Sequence, residues 1–227
     1  MYKFRRILAV CVLSATAMTV SAQWRLGIYA GIDHCNHELS NGYAYTNLIN
    51  GKSGGIFGIM GQYNFCDWFG VRADINLQNR NYNAIYSLEL DRYRYRNTYV
   101  TLPILANFSF GSQQLRGYVN AGGYIAHWIS KKVECQQVLN PLDRGDEAET
   151  SEPSDFGKAD RRFDAGLAGS IGISYLVLPE LAINAEGSIY YGLVNSHKTG
   201  SSYFKQPAYD TTLGLTIGVA YIFGNNK

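Results

Sequence analysis

Eight stretches of this chain alternate apolar residues with small or polar ones at a period of two, and nothing else in the sequence constrains the fold as strongly. They cover residues 24–32, 54–65, 69–81, 98–110, 116–130, 162–175, 181–194 and 211–223, with no helix-period segment of useful length between them. Successive side chains of an extended strand point to opposite faces, so each stretch has one apolar side and one that is small or polar. In "FGVRADINLQN", Phe69, Val71, Ala73, Ile75 and Leu77 share a face, while Arg72, Asp74, Asn76 and Gln78 share the other.

The connections sort into two kinds. Short turns, "CDW", "GSQQL" and "LVLPE", follow the second, fourth and sixth stretches, and long polar segments follow the first, third, fifth and seventh. A soluble up-and-down barrel of the lipocalin kind also has eight strands. Strict alternation of long and short connections instead fits a membrane barrel, with short periplasmic turns and long external loops.

The two faces carry the same conclusion. Arg25, Arg72, Asp74, Arg80, Asp164 and Glu186 all fall on the side interleaved with Gly and Ser, and are expected to form a charge network in the lumen. The opposite side carries Leu26, Ile28, Phe57, Ile59, Ile75, Ile104, Ile171, Leu215 and Ile217. A soluble barrel packs its large apolar side chains inward. Here they face outward, and a band that large needs lipid, because in water it would aggregate. The expected fold is all-β, an eight-stranded antiparallel up-and-down transmembrane β-barrel. Closing the ring also pairs every backbone group, as a bilayer demands.

Trp24, Tyr63, Phe65, Trp68, Phe69, Phe108, Phe110, Tyr175, Tyr221 and Phe223 gather at the short-turn end, as a belt of rings at the headgroup level would. Residues 1–22 have the form of a cleaved signal peptide: Lys3, Arg5 and Arg6, then an apolar stretch, then Val20 and Ala22 before Gln23. Residues 23–227 then form one domain. A formal net charge of +2 gives no strong pull toward nucleic acid, and none is expected as a partner.

The strand "YVTLPILANFSF" resembles a motif of the small outer-membrane β-barrel family of Bacteroidota, the PorT-like or outer membrane protein beta-barrel domain proteins. "RGYVNAGGYIAHW", "FDAGLAGSIGISY" and "LAINAEGSIYYGLVN" are similar to later strands of that family. Val100 and Thr101 stand where Leu and Glu are usual in it. The resemblance implies outer-membrane residence and an eight-stranded barrel, and very little about activity.

Four further features bear on function. The terminal strand places Thr216, Gly218, Tyr221 and Phe223 in a pattern similar to the signal read by the outer-membrane assembly machinery, which would engage the strand by β-augmentation. In "DRYRYR", Arg92, Arg94 and Arg96 share the parity of Val100, Leu102 and Ile104. That predicts guanidinium groups on the outer wall above the apolar band, suited to lipopolysaccharide phosphates, unless a bulge swaps the faces. "DHCNH" puts Asp33, His34, Cys35 and His37 in the first external loop, a weak metal pattern; no metal or cofactor is expected. For catalysis, His127 and Ser130 are three apart and expected on opposite faces, leaving no nucleophile beside a base.

The reading is a non-enzymatic, monomeric outer-membrane barrel with a structural or interaction role through its external loops, in contact with outer-membrane lipid, lipopolysaccharide and an unidentified protein or glycan partner. A narrow transport barrel, a lipid A-modifying barrel and a soluble lipocalin-like binder are the competing readings.

Overall fold

The computed structural model describes residues 23–39, 47–86, 92–138, 147–153, 161–194 and 208–223. The expected signal peptide, parts of every external connection and residues 224–227 lie outside the described residues. The described residues form ten strands: β1 Gln23–Leu39, β2 Asn47–Asn64, β3 Phe69–Asn79, β4 Asn81–Tyr86, β5 Arg92–Gly111, β6 Leu115–Val138, β7 Glu147–Pro153, β8 Phe163–Leu178, β9 Leu181–Gly192 and β10 Ala208–Phe223.

Every pairing is antiparallel, and the pairing of β1 with both β2 and β10 closes the ring. β3 and β4 are one stave broken at Arg80. β2 and β5 pair with β3 below the break and with β4 above it. Likewise β6 pairs with β8 up to His127 and with β7 from Lys132 onward. The ten strands thus make the eight staves of a closed antiparallel barrel. Residue Gly111, at a φ of 122°, starts the tight turn from β5 to β6, a conformation that favours glycine.

Two expectations are corrected here. Several staves run well past the apolar band: β1 reaches Leu39, β5 begins at Arg92 and β6 reaches Val138. "DHCNH" therefore lies on a strand, and residues 147–153, within the long polar segment after the fifth stretch, pair with β6 as β7. Ladder hydrogen bonds between backbones continue the barrel where hydrophobic periodicity stops. Both faces of a strand are then wet or polar, and the alternation signal fades.

Alternation holds below that level. Leu215, Ile217 and Ile171 are 64%, 68% and 65% exposed on the outer wall, whereas Gln78, Thr101 and Asn76 inside are fully buried. The aromatic belt forms as expected, with ring centroids 4.9 Å apart for Trp24 and Tyr63, 5.4 Å for Phe69 and Phe108, and 4.6 Å for Tyr221 and Phe223.

Candidate functional site

Layers of polar side chains fill the interior. Near the short turns, Gln62 donates to Asn107 (3.1 Å), Asn107 to Asn120 (2.6 Å) and Asn120 to Ser170 (2.8 Å), a chain of amides across four staves. Beside it, Arg25 and Arg116 line a recess of about 10 Å³. That is barely the space of one water.

At mid-height Arg72 is the hub. Its Nε and Nη2 donate to Asp74 at 2.9 and 2.7 Å, and its Nη1 reaches Glu186 Oε2 at 2.5 Å. Tyr118 donates to the same Glu186 oxygen (2.9 Å) and Tyr29 to Asp74 (3.2 Å). Each long tyrosine lies over a glycine. A Cβ added to Gly58 would sit 2.4 Å from the Tyr29 ring, and one added to Gly172 would sit 2.5 Å from the Tyr118 ring. Bare backbone at those two positions is what lets the phenols cross the lumen.

A second hub, Arg80, occupies the break between β3 and β4. Its Nη1 lies 2.6 Å from Asp164 and 3.8 Å from Asp210, and its Nε donates to Gln78 at 3.2 Å. Tyr124 donates to Asp164 (2.9 Å), and the guanidinium carbon lies 4.6 Å from the Tyr99 ring centroid. Tyr99 in turn stacks on Trp128 at 5.7 Å. Isolated charges are costly in so enclosed a space, and Arg72, Asp74, Glu186, Arg80 and Asp164 are all paired and hydrogen-bonded.

Five of the six lumen charges read from the sequence join these two networks. The sixth, Arg25, sits at the short-turn mouth with Arg116 and is in neither. Arg72 keeps its strand neighbour Asp74 and also meets Glu186 of β9, while Arg80 meets Asp164 of β8. Asp210 and the crossing tyrosines were missed. Their signal was inward parity, Tyr facing Gly on the neighbouring stave, and it needs the register to be usable.

On the outer wall, Arg94 and Arg96 both reach Glu134, at 3.3 and 3.0 Å. Arg96 is exposed and alternates with buried Asn97, so its expected outward placement stands; the Arg92 side chain lies outside the description. A register shift does occur at Thr98 and Tyr99, where Tyr99 pairs with Trp128 and Thr98 with Ser130. The extra residue, Ile129, is on β6, so β5 keeps its parity and β6 changes. That corrects the expectation for His127 and Ser130: both now face outward, yet no hydrogen bond joins them among the described residues.

His34 also faces outward, its Nδ1 3.4 Å from Ser53 Oγ, while Asp33 and Cys35 are buried inside. These three therefore diverge and do not converge on an ion. Cys35 and Cys66 are free thiols. At the terminal strand, Thr216 points inward, and Tyr221 and Phe223 stand outside in the ring belt. The Tyr221 hydroxyl donates to Glu180 of the neighbouring turn.

A closed antiparallel ring with an apolar exterior, a ring belt at one end and ion pairs within defines the class of outer-membrane β-barrel proteins. Residues 16–198 match the family described as outer membrane protein beta-barrel domain, and the chain belongs to that family. It is accordingly a protein of the outer membrane. Among solved structures it is similar to OprG of Pseudomonas aeruginosa, at 14% identity over 90% of this chain and 97% of that one, with a TM-score of 0.51. It is also similar to outer membrane protein W of Escherichia coli, at 16% identity over 88% and 97% of the two chains and a TM-score of 0.45. The outer membrane protease OmpT of Escherichia coli is a further likeness, at 10% identity over 90% and 99%, TM-score 0.44. No curated protein matches the chain.

Proposed function

We propose that the protein is a non-enzymatic outer-membrane barrel with a shut lumen, acting as a structural or interaction element through its external end. The observation that carries this is the filled interior, where Arg72 and Arg80 tie the stave of β3 and β4 to β8, β9 and β10 through Glu186, Asp164 and Asp210. A solute would have to break both networks to pass.

Within this reading residues 1–22 are a signal peptide removed on export. Thr216, Gly218, Tyr221 and Phe223 serve assembly, the barrel works as a monomer, and it is one of the PorT-like barrels of Bacteroidota, a reading supported by the resemblance of its strand motifs. Planar-bilayer recording of the refolded chain is the test. Electrical silence is expected; large, stable unitary steps would establish a transport barrel and end this reading. An altered lipid A mass spectrum on deletion of the gene would favour the lipid-modifying alternative.

A further inference from the structure

Just above the apolar band, β2, β3, β4, β5 and β6 enclose a recess of about 340 Å³. It lies on the outer wall. Gly55 and Asn79, in its floor, share the outward face of Phe57 and Leu77, which are 50% and 45% exposed. Thr98, also in the floor, continues the outward face of Val100 and Ile104 and donates to Asn79 at 3.0 Å. On β6 the bulge at Ile129 brings Lys131 inside, its ammonium 5.6 Å from the Trp128 ring, and leaves Lys132 outside, paired with Arg96.

The recess is strongly cationic. Lys52, Arg94, Arg96 and Lys132 line it, and Lys52 is within electrostatic reach of both arginines. Against these four the described residues set one carboxylate, Glu134, which both arginines share. Uncompensated positive charge at one spot repels itself, and its natural complement is an anion with more than one negative oxygen. Guanidinium forks take phosphate in a bidentate manner, and lysine adds a point charge.

The height of the recess selects the carrier of that phosphate. Its floor residues Gly55, Asn79 and Thr98 are each two positions from Phe57, Leu77 and Val100 on the same outward faces, so an amphiphile can lay hydrocarbon on the band while its head enters the recess. A water-borne anion uses only the upper half of this surface. We propose that the recess binds the phosphorylated headgroup of an outer-leaflet lipid, with Lys52, Arg94, Arg96 and Lys132 on the phosphate and the acyl chains along Phe57, Leu77 and Val100. Asn79 and Asn81 supply neutral donors at its edge. The proposal rests on the outer-membrane placement in the reading above and is independent of the shut lumen. A conducting barrel would overturn the latter and leave this site standing.

The test uses residues 23–227 refolded in a neutral maltoside detergent, with native mass spectrometry reading retained lipid. The probes are bis-phosphorylated lipid A, the same lipid stripped of phosphate, and inorganic phosphate alone. The wild type is expected to retain the phosphorylated lipid and not the stripped one. Joint Lys52→Gln, Arg96→Gln and Lys132→Gln should lower retention by roughly tenfold or more, as loss of several charge-assisted contacts implies. Heat-modifiable migration reports whether that variant has folded. Glu134→Gln, which removes the competing carboxylate, should raise retention severalfold whatever the triple variant does. Equal retention of both lipids, or no change in Glu134→Gln, would overturn the proposal. Displacement of the lipid by millimolar inorganic phosphate would show a free-anion site and overturn the assignment to a headgroup.

Discussion

Arg80 shows how much a single side chain carries in this interior. It interrupts a stave, faces two aspartates and lies against the Tyr99 ring. Replacing it with Met removes the cation that faces both Asp164 and Asp210 in a largely buried site. Breaking a buried pair from one side costs about 3–5 kcal/mol, so Arg80→Met should lower the unfolding free energy in vesicles by that order, measured by urea titration. Adding Asp164→Asn and Asp210→Asn should regain most of the loss. A deficit under about 1 kcal/mol for the single variant would mean that water, not Arg80, solvates those carboxylates. The identity of the inward charges was legible in the sequence because parity alone places them. Their partners were not. Arg72 and Glu186 lie 114 residues apart, and only the ring closure and register bring them to 2.5 Å.

Within one element, β2 separates the faces by what its glycines touch. A Cβ at Gly58 would press on the Tyr29 ring at 2.4 Å, whereas one at Gly61 meets nothing nearer than 3.7 Å. Gly58→Ala is expected to destabilise by about 1–3 kcal/mol, the usual range for overpacking, and Gly61→Ala by less than about 0.5 kcal/mol. Equal effects in the same titration would contradict the inward path of Tyr29. In β10, joint Tyr221→Ala and Phe223→Ala should cut the fraction of heat-modifiable, folded barrel in the outer membrane severalfold, and normal levels would dismiss the assembly role. Strand existence was readable from period-two alternation, but strand ends were not, since β1, β5 and β6 continue where both faces are polar. The bulge at Ile129 left no mark in the sequence either. It reverses β6 alone, which is why the outward placement of Arg96 stood and the split of His127 from Ser130 did not.

For the molecule as a whole, two features legible in the sequence define the architecture: alternating connection lengths and charges confined to one face. What the chain does through its outer end was less legible. The cationic recess draws Lys52, Arg94, Arg96 and Lys132 from three strands, and only Arg94 and Arg96 stand in a run that catches attention as sequence. An inside-out barrel requires its apolar face to meet lipid, and the three tryptophans report that directly. Trp24 and Trp68 are 55% and 57% exposed on the outer belt, while Trp128 is 7% exposed inside. In vesicles of lipids brominated along the acyl chain, a variant keeping Trp24 alone should be strongly quenched, most by bromines set near the headgroup. A variant keeping Trp128 alone should retain nearly all its fluorescence. Quenching of Trp128 as strong as that of Trp24 would contradict the inside-out barrel.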